Sequence, residues 1–153
     1  MNKFIIKKMT ILLLTLFLSG IFILGIVLSA FSPGNSEPYL DKFGNPIKGS
    51  ISEKTFITLN GVKQGMFIKS KNEKHPVLLF LHGGMPEYFL SQKYPTGLED
   101  FFTVVWWEQR GSGISYSTNI PPETMTLEQM ITDTKEVTNY LLKRFGQEKI
   151  YLM

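Results

Sequence analysis

Two glycine-containing runs hold the residue types best suited to chemistry. The first is His82-Gly83-Gly84-Met85-Pro86, and the second is Glu108-Gln109-Arg110-Gly111-Ser112-Gly113-Ile114-Ser115. Each closes a short continuous apolar stretch, residues 76–81 and residues 101–107. Such stretches are too short for helices and suit strands buried on both faces. Open α/β sheets place their ligands beyond the carboxyl ends of such strands. Glycines there let the main chain approach a ligand and adopt unusual dihedrals, although a Gly-Gly pair also marks a plain turn. Arg110 is suited to pairing with a carboxylate and fixing its loop. Glu108 is a candidate substrate contact, but a single carboxylate is no acid/base pair. Gly111 and Gly113 do not open a dinucleotide fingerprint, because Tyr116 stands at the third glycine position and no helix begins there.

Composition narrows the chemistry. The 153 residues include no cysteine, which excludes a disulfide framework, a thiolate metal site and a cysteine nucleophile. No metal site and no cofactor are expected. Lysine and arginine number 16 against 13 acidic residues. Lys3, Lys7 and Lys8 account for the excess, since every acidic residue lies at Glu37 or later. The remaining charge balances, so no basic face for nucleic acid is expected.

Several elements must position these loops. Residues 9–31 carry no charge and are long enough, as a helix, to cross the hydrocarbon core of a bilayer. The lysines precede this run, which places residues 1–8 as a cytoplasmic tail and sends the remainder outward. The run exceeds the apolar region of a cleavable signal, so an uncleaved signal anchor is expected, with the lipid bilayer as its partner. Residues 32–52 are rich in Pro, Gly, Asn and Ser and read as a linker holding the folded part away from the membrane. The folded domain is expected over 53–153. Residues 54–59 and 62–69 read as strands joined by Asn60-Gly61, a strong hairpin signal. A short helix is expected at 87–93. A long helix is expected at 127–145, capped by Thr126 with Gln129 and stopped by Gly146. Its apolar face reads Leu127, Met130, Ile131, Thr134, Val137, Leu141 and Phe145. Residues 149–153 begin a further strand. Buried strands alternating with helices behind a hairpin indicate an α/β fold with a mostly parallel sheet.

The two motifs, each after its strand, resemble those of the α/β-hydrolase family, in particular the branch that contains proline iminopeptidases. That branch carries His-Gly-Gly-Pro-Gly and then Asp-Gln-Arg-Gly-x-Gly-x-Ser. This chain departs from it at Met85-Pro86 and at Glu108. The resemblance spans residues 55–153, about two-thirds of the chain. It implies that Gly83 and Gly84 contribute oxyanion-hole N–H groups, Gly84 foremost. It also implies that His82, Arg110, Gly111 and Gly113 support the loops. His82 is not the catalytic base, because that histidine follows the nucleophile in this fold; His75 reads as a surface residue.

The fold's nucleophile elbow, Gly-x-Ser-x-Gly, does not occur in the chain. Nucleophile, acid and base are therefore expected after Met153, with no catalytic residue within the chain. The sequence reads as the N-terminal half of a truncated, membrane-anchored α/β hydrolase, an incomplete sheet that is inactive alone. Its intact relative would be a serine hydrolase cleaving a small peptide or ester through an acyl-enzyme. The same fold also hosts dehalogenases and epoxide hydrolases with an Asp nucleophile. A non-catalytic membrane-anchored binding protein, or the product of a decayed gene, is the alternative.

Overall fold

The computed structural model of the chain describes residues 3–31, 36–83 and 96–153. They fall into two compact units, Met1–Gly34 and Asn35–Met153. The first unit is one helix, α1 (Lys3–Phe31). At 1.5 Å per residue its 29 residues extend about 44 Å. Residues 3–8, read from the sequence as a tail, belong to this helix, since nothing among them breaks the backbone ladder. The hydroxyls of Thr10, Thr15 and Ser19 donate to carbonyls four residues back, at 2.8–3.0 Å, so these polar groups are satisfied within the helix. The segment from Phe4 to Ser29 is long and apolar enough to cross a membrane.

The second unit is built on a five-stranded mixed sheet of order β1-β2-β4-β3-β5. The strands are β1 (Ile51–Leu59), β2 (Val62–Ser70), β3 (Val77–Leu81), β4 (Thr103–Trp107) and β5 (Tyr151–Leu152). The β1–β2 hairpin turns at Asn60 and Gly61, both with positive φ (44° and 79°), as a two-residue hairpin requires. β1 and β2 pair antiparallel, and so do β2 and β4. β4 with β3 and β3 with β5 are parallel. The sheet is thus half antiparallel by pairing rather than mostly parallel, because the hairpin joins through β2 to the parallel set.

Helix α2 (Leu127–Phe145) carries the chain from β4 across β3 to β5. Thr126 caps it, its side chain accepting the Gln129 N–H at 3.1 Å. Gly146 ends it with φ 61°. Alternation along the strands divides the core in two. Leu59, Met66, Ile68, Val77, Leu79, Val105 and Trp107 pack with Val137 and Leu141 of α2. Phe67, Val104 and Trp106 form a separate cluster, against which Phe80, Leu98, Phe102 and Ile114 pack.

Three sequence expectations change. Residues 36–50 are not a free linker but part of the sheet unit. Tyr39 is buried, the Ile47 N–H reaches Tyr39 O at 2.8 Å, and the Glu73 N–H reaches Gly49 O at 2.7 Å. Pro, Gly and Asn are what tight turns need, so composition does not separate a folded turn from a tether. Pairing also begins at Ile51 rather than 53 or 54, opposite Ser70. The face of α2 is rotated: Asp133, Val137 and Leu141 are buried, while Leu127 and Ile131 are 68% and 49% exposed. The short helix expected at 87–93 lies outside the described residues.

The rotated face is testable by truncation. Leu141→Ala should destabilise the sheet unit by about 2–5 kcal/mol. Leu127→Ala should stay within about 0.5 kcal/mol. Urea titration of the detergent-solubilised chain, followed by Trp fluorescence, measures both.

Candidate functional site

β3 and β4 run side by side with Leu81 opposite Trp107. Both chains therefore leave the sheet at the same end, and the two motifs become neighbours. The His82 Nε2 accepts the Gln109 backbone N–H at 3.2 Å, and the Gln109 side-chain amide donates to His82 O at 3.0 Å. This reciprocal clamp joins the loops. His82 is buried, and its Nε2 lone pair is engaged by the clamp. Gly83 follows at the surface, with open space where a Cβ would stand. Gly84 lies outside the described residues.

The second loop rests on a buried carboxylate that sequence reasoning missed. Asp133 of α2 takes the Arg110 Nε at 2.8 Å on Oδ2 and the Arg110 Nη2 at 3.0 Å on Oδ1. Gln64 Nε2 adds a bond at 2.8 Å, Asn60 Nδ2 one at 2.7 Å and Gln129 Nε2 one at 2.9 Å. The Gln64 carbonyl in turn accepts the Trp107 indole N–H at 3.1 Å. Arg110 also reaches Asn60 O and Thr124 Oγ1. The side chains of Arg110 and Asp133 are only 2% and 1% exposed. Burial alone would push the Asp133 carboxyl up. The Arg110 guanidinium and the amides of Asn60, Gln64 and Gln129 outweigh it and hold the group below the usual carboxylate range. Arg110 had been expected to find a carboxylate. The missed signal is the i, i+4, i+8 spacing of Asp133, Val137 and Leu141, which places an acid in line with the buried stripe.

Within the loop, Gly111 and Gly113 have φ of 77° and 43°. At Gly113 a Cβ would stand 2.2 Å from Glu108 Oε2, so the chain folds directly over that carboxylate. Glu108 is 1% exposed, which does not suit the substrate contact considered from sequence. Burial pushes its carboxyl up, against a bond from Ser112 Oγ at 3.2 Å. The Glu108 N–H donates to Gly65 O at 3.0 Å, and Ser115 Oγ bridges Gly65 N–H and Glu108 O. Gly65 was also missed: a Cβ there would meet Ile114 at 2.4 Å. His75 is half-buried at the other end of β3, where its carbonyl accepts from Gln147 Nε2 at 2.9 Å. No group of three or more metal-ligating side chains occurs among the described residues.

This arrangement can present main-chain N–H groups and hold them still. The chain is 43% identical over 109 residues, 70% of its length, to the protein named Probable aminopeptidase YbaC of Bacillus subtilis strain 168. Its fold is similar to the crystal structure of a proline iminopeptidase-related protein from Thermus thermophilus, with a TM-score of 0.52 and 27% identity over 67% of the chain. The chain is thus related to peptidase-like hydrolases. It spans about a third of each relative, 34% and 35%. No family model matches the sequence.

The Asp133 cluster sets a stability test. Asp133→Ala leaves Arg110 buried without its partner and should cost about 3–5 kcal/mol. The depressed carboxyl stabilises the fold fully above its unfolded value near pH 3.9, and that contribution is lost as pH falls through the lower folded value. Urea midpoints between pH 2 and 6 should therefore fall with acid in the unmodified chain, and less steeply in Asp133→Asn.

Proposed function

We propose that the sheet unit is the N-terminal part of an α/β-hydrolase domain of the proline iminopeptidase-like branch. In this reading it supplies the oxyanion side of a serine-hydrolase site that cleaves amide or ester bonds through an acyl-enzyme. The observation that carries the reading is the clamped pair of loops at the carboxyl ends of adjacent parallel strands. It occurs in a chain 43% identical over 109 residues to a protein named as an aminopeptidase. Gly83 and Gly84 provide N–H donors for the developing oxyanion, a contribution worth about 10²–10³ in rate per donor. His82 and Arg110 hold the donors in place without touching substrate. The nucleophile, acid and base belong to the part of such a protein that this chain does not cover. In this reading the 153 residues alone do not turn over substrate, because no Gly-x-Ser-x-Gly occurs among them.

Helix α1 in this reading anchors the domain in a bilayer. Its length and composition support this, and a secretion signal shares both properties. Lys3, Lys7 and Lys8 at its start favour a cytoplasmic N-terminus and an extracytoplasmic sheet unit.

A fluorophosphonate probe, which reacts with activated serines, tests the reading. The chain alone should remain unlabelled. The chain joined to the segment of YbaC that it does not match should be labelled on a single serine. Labelling of the chain alone, or a folded joined protein that stays unlabelled, would contradict it; the second result would favour a binding role.

A further inference from the structure

Asp133 and Glu108 are both 1% exposed, and the fold treats them oppositely. Asp133 receives a guanidinium and three amides. The Glu108 carboxyl has one hydrogen-bond partner among the described residues, Ser112 Oγ at 3.2 Å. The cations of the neighbouring elements are engaged elsewhere. Arg110, two positions on, is held by Asp133. Lys63 of β2 and Lys54 of β1 lie 4.6 and 5.8 Å from the Phe56 ring. His82, after β3, accepts the Gln109 N–H through Nε2. No ion pair reaches Glu108 among the described residues.

A carboxylate so placed is disfavoured against its neutral acid, which needs one hydrogen bond and no counter-ion. The loop cannot hydrate the group without moving. Gly113, at φ 43°, crosses over Oε2 and leaves no room there even for a Cβ. The Glu108 N–H is tied to Gly65 O, and its carbonyl accepts from Ser115 Oγ. Water therefore reaches the carboxyl when the 111–115 turn lifts.

We propose that Glu108 is a positioning residue that works as a neutral acid: protonated, it packs beneath Gly113 and the 108–115 loop is closed; ionised, it lifts the 111–115 turn to reach water. The consequence for a reaction rests on the oxyanion-side reading above. The loop that holds Gln109, and through it His82, is stiff in acid and loosens as the pH rises. The sign follows from linkage. Burial raises the carboxyl above its ordinary value of 4.5. Between that value and the raised one, the open loop binds fewer protons than the closed one. Opening then gains about tenfold per pH unit for one proton, and levels off above the raised value.

Amide exchange of the detergent-solubilised full chain across this pH range, corrected for the intrinsic rate, reads the loop directly. The Ser112 and Ser115 amides, bonded to Gln109 O and Ser112 O, should lose protection about tenfold per pH unit above 4.5 and then level off. Leu79 and Val105 should keep theirs. In Glu108→Gln, of the same shape but unable to ionise, the fall should vanish. His82 would act with the opposite sign, because an imidazolium cannot accept the Gln109 N–H. An infrared band of a protonated carboxyl should disappear in step with the protection, and Glu108→Gln should lack it at the same pH. That band reports the proton in the unmodified chain even where the variant packs poorly. Flat protection in the unmodified chain, a fall that survives in Glu108→Gln, or no such band would overturn the proposal. None of these results depends on fluorophosphonate labelling, so failure here leaves the hydrolase reading standing, and failure of that reading leaves the loop's response to pH intact.

Discussion

The sheet unit depends on one buried carboxylate. Asp133 collects hydrogen bonds from a guanidinium and three amides, and these donors come from the hairpin turn, β2, the loop after β4 and α2 itself. Burying an isolated carboxylate would cost several kcal/mol. Here every donor group compensates part of that cost, and each is fixed in return. Replacing the acid with an apolar side chain would strand the amides as well as the arginine, so the cluster functions as a unit. It also explains why α2 turns a polar residue inward and leaves Leu127 and Ile131 outside.

Local geometry at the loops follows from that anchor. Arg110 is held at its guanidinium, so the loop from Glu108 to Ser115 has a fixed origin. Gly113 then crosses over the Glu108 carboxylate, and Ser115 returns to bind Gly65 and the Glu108 carbonyl. From this rigid loop, Gln109 reaches sideways to His82 and sets the first residue after β3. The support thus runs from Asp133 through Arg110 and Gln109 to His82 and the glycine beyond it. Main-chain donors are effective in acyl transfer when they need no reorganisation at the moment of reaction. In the proposed reading, a clamp of this kind supplies that stiffness.

Much of this was legible in the sequence. The hairpin at Asn60-Gly61 and the bounds of α2 were readable because turn and cap chemistry are local. The two motifs were readable as neighbours because strand ends in a parallel sheet share an edge. Long-range pairings were less accessible. Arg110 announced its need for a carboxylate, but the choice of Asp133, 23 positions away, depends on how α2 rotates over the sheet. Gly65 looked like an ordinary strand residue, and only the approach of Ile114 gives it a reason. Residues 36–50 were misread as a tether because their composition describes turns equally well, and Tyr39, the residue that pins them, is one aromatic among polar neighbours.

Native-state hydrogen exchange tests most directly whether the buried cluster holds the loops. In the unmodified chain, the amides of Gln109, Ser112 and Ser115 should exchange as slowly as those of β3 and β4. In Asp133→Asn, studied where the sheet remains folded, they should lose protection while Leu79 and Val105 keep theirs. Fast exchange at Gln109 and Ser115 in the unmodified chain, or equal protection in both proteins, would contradict the central role of Asp133.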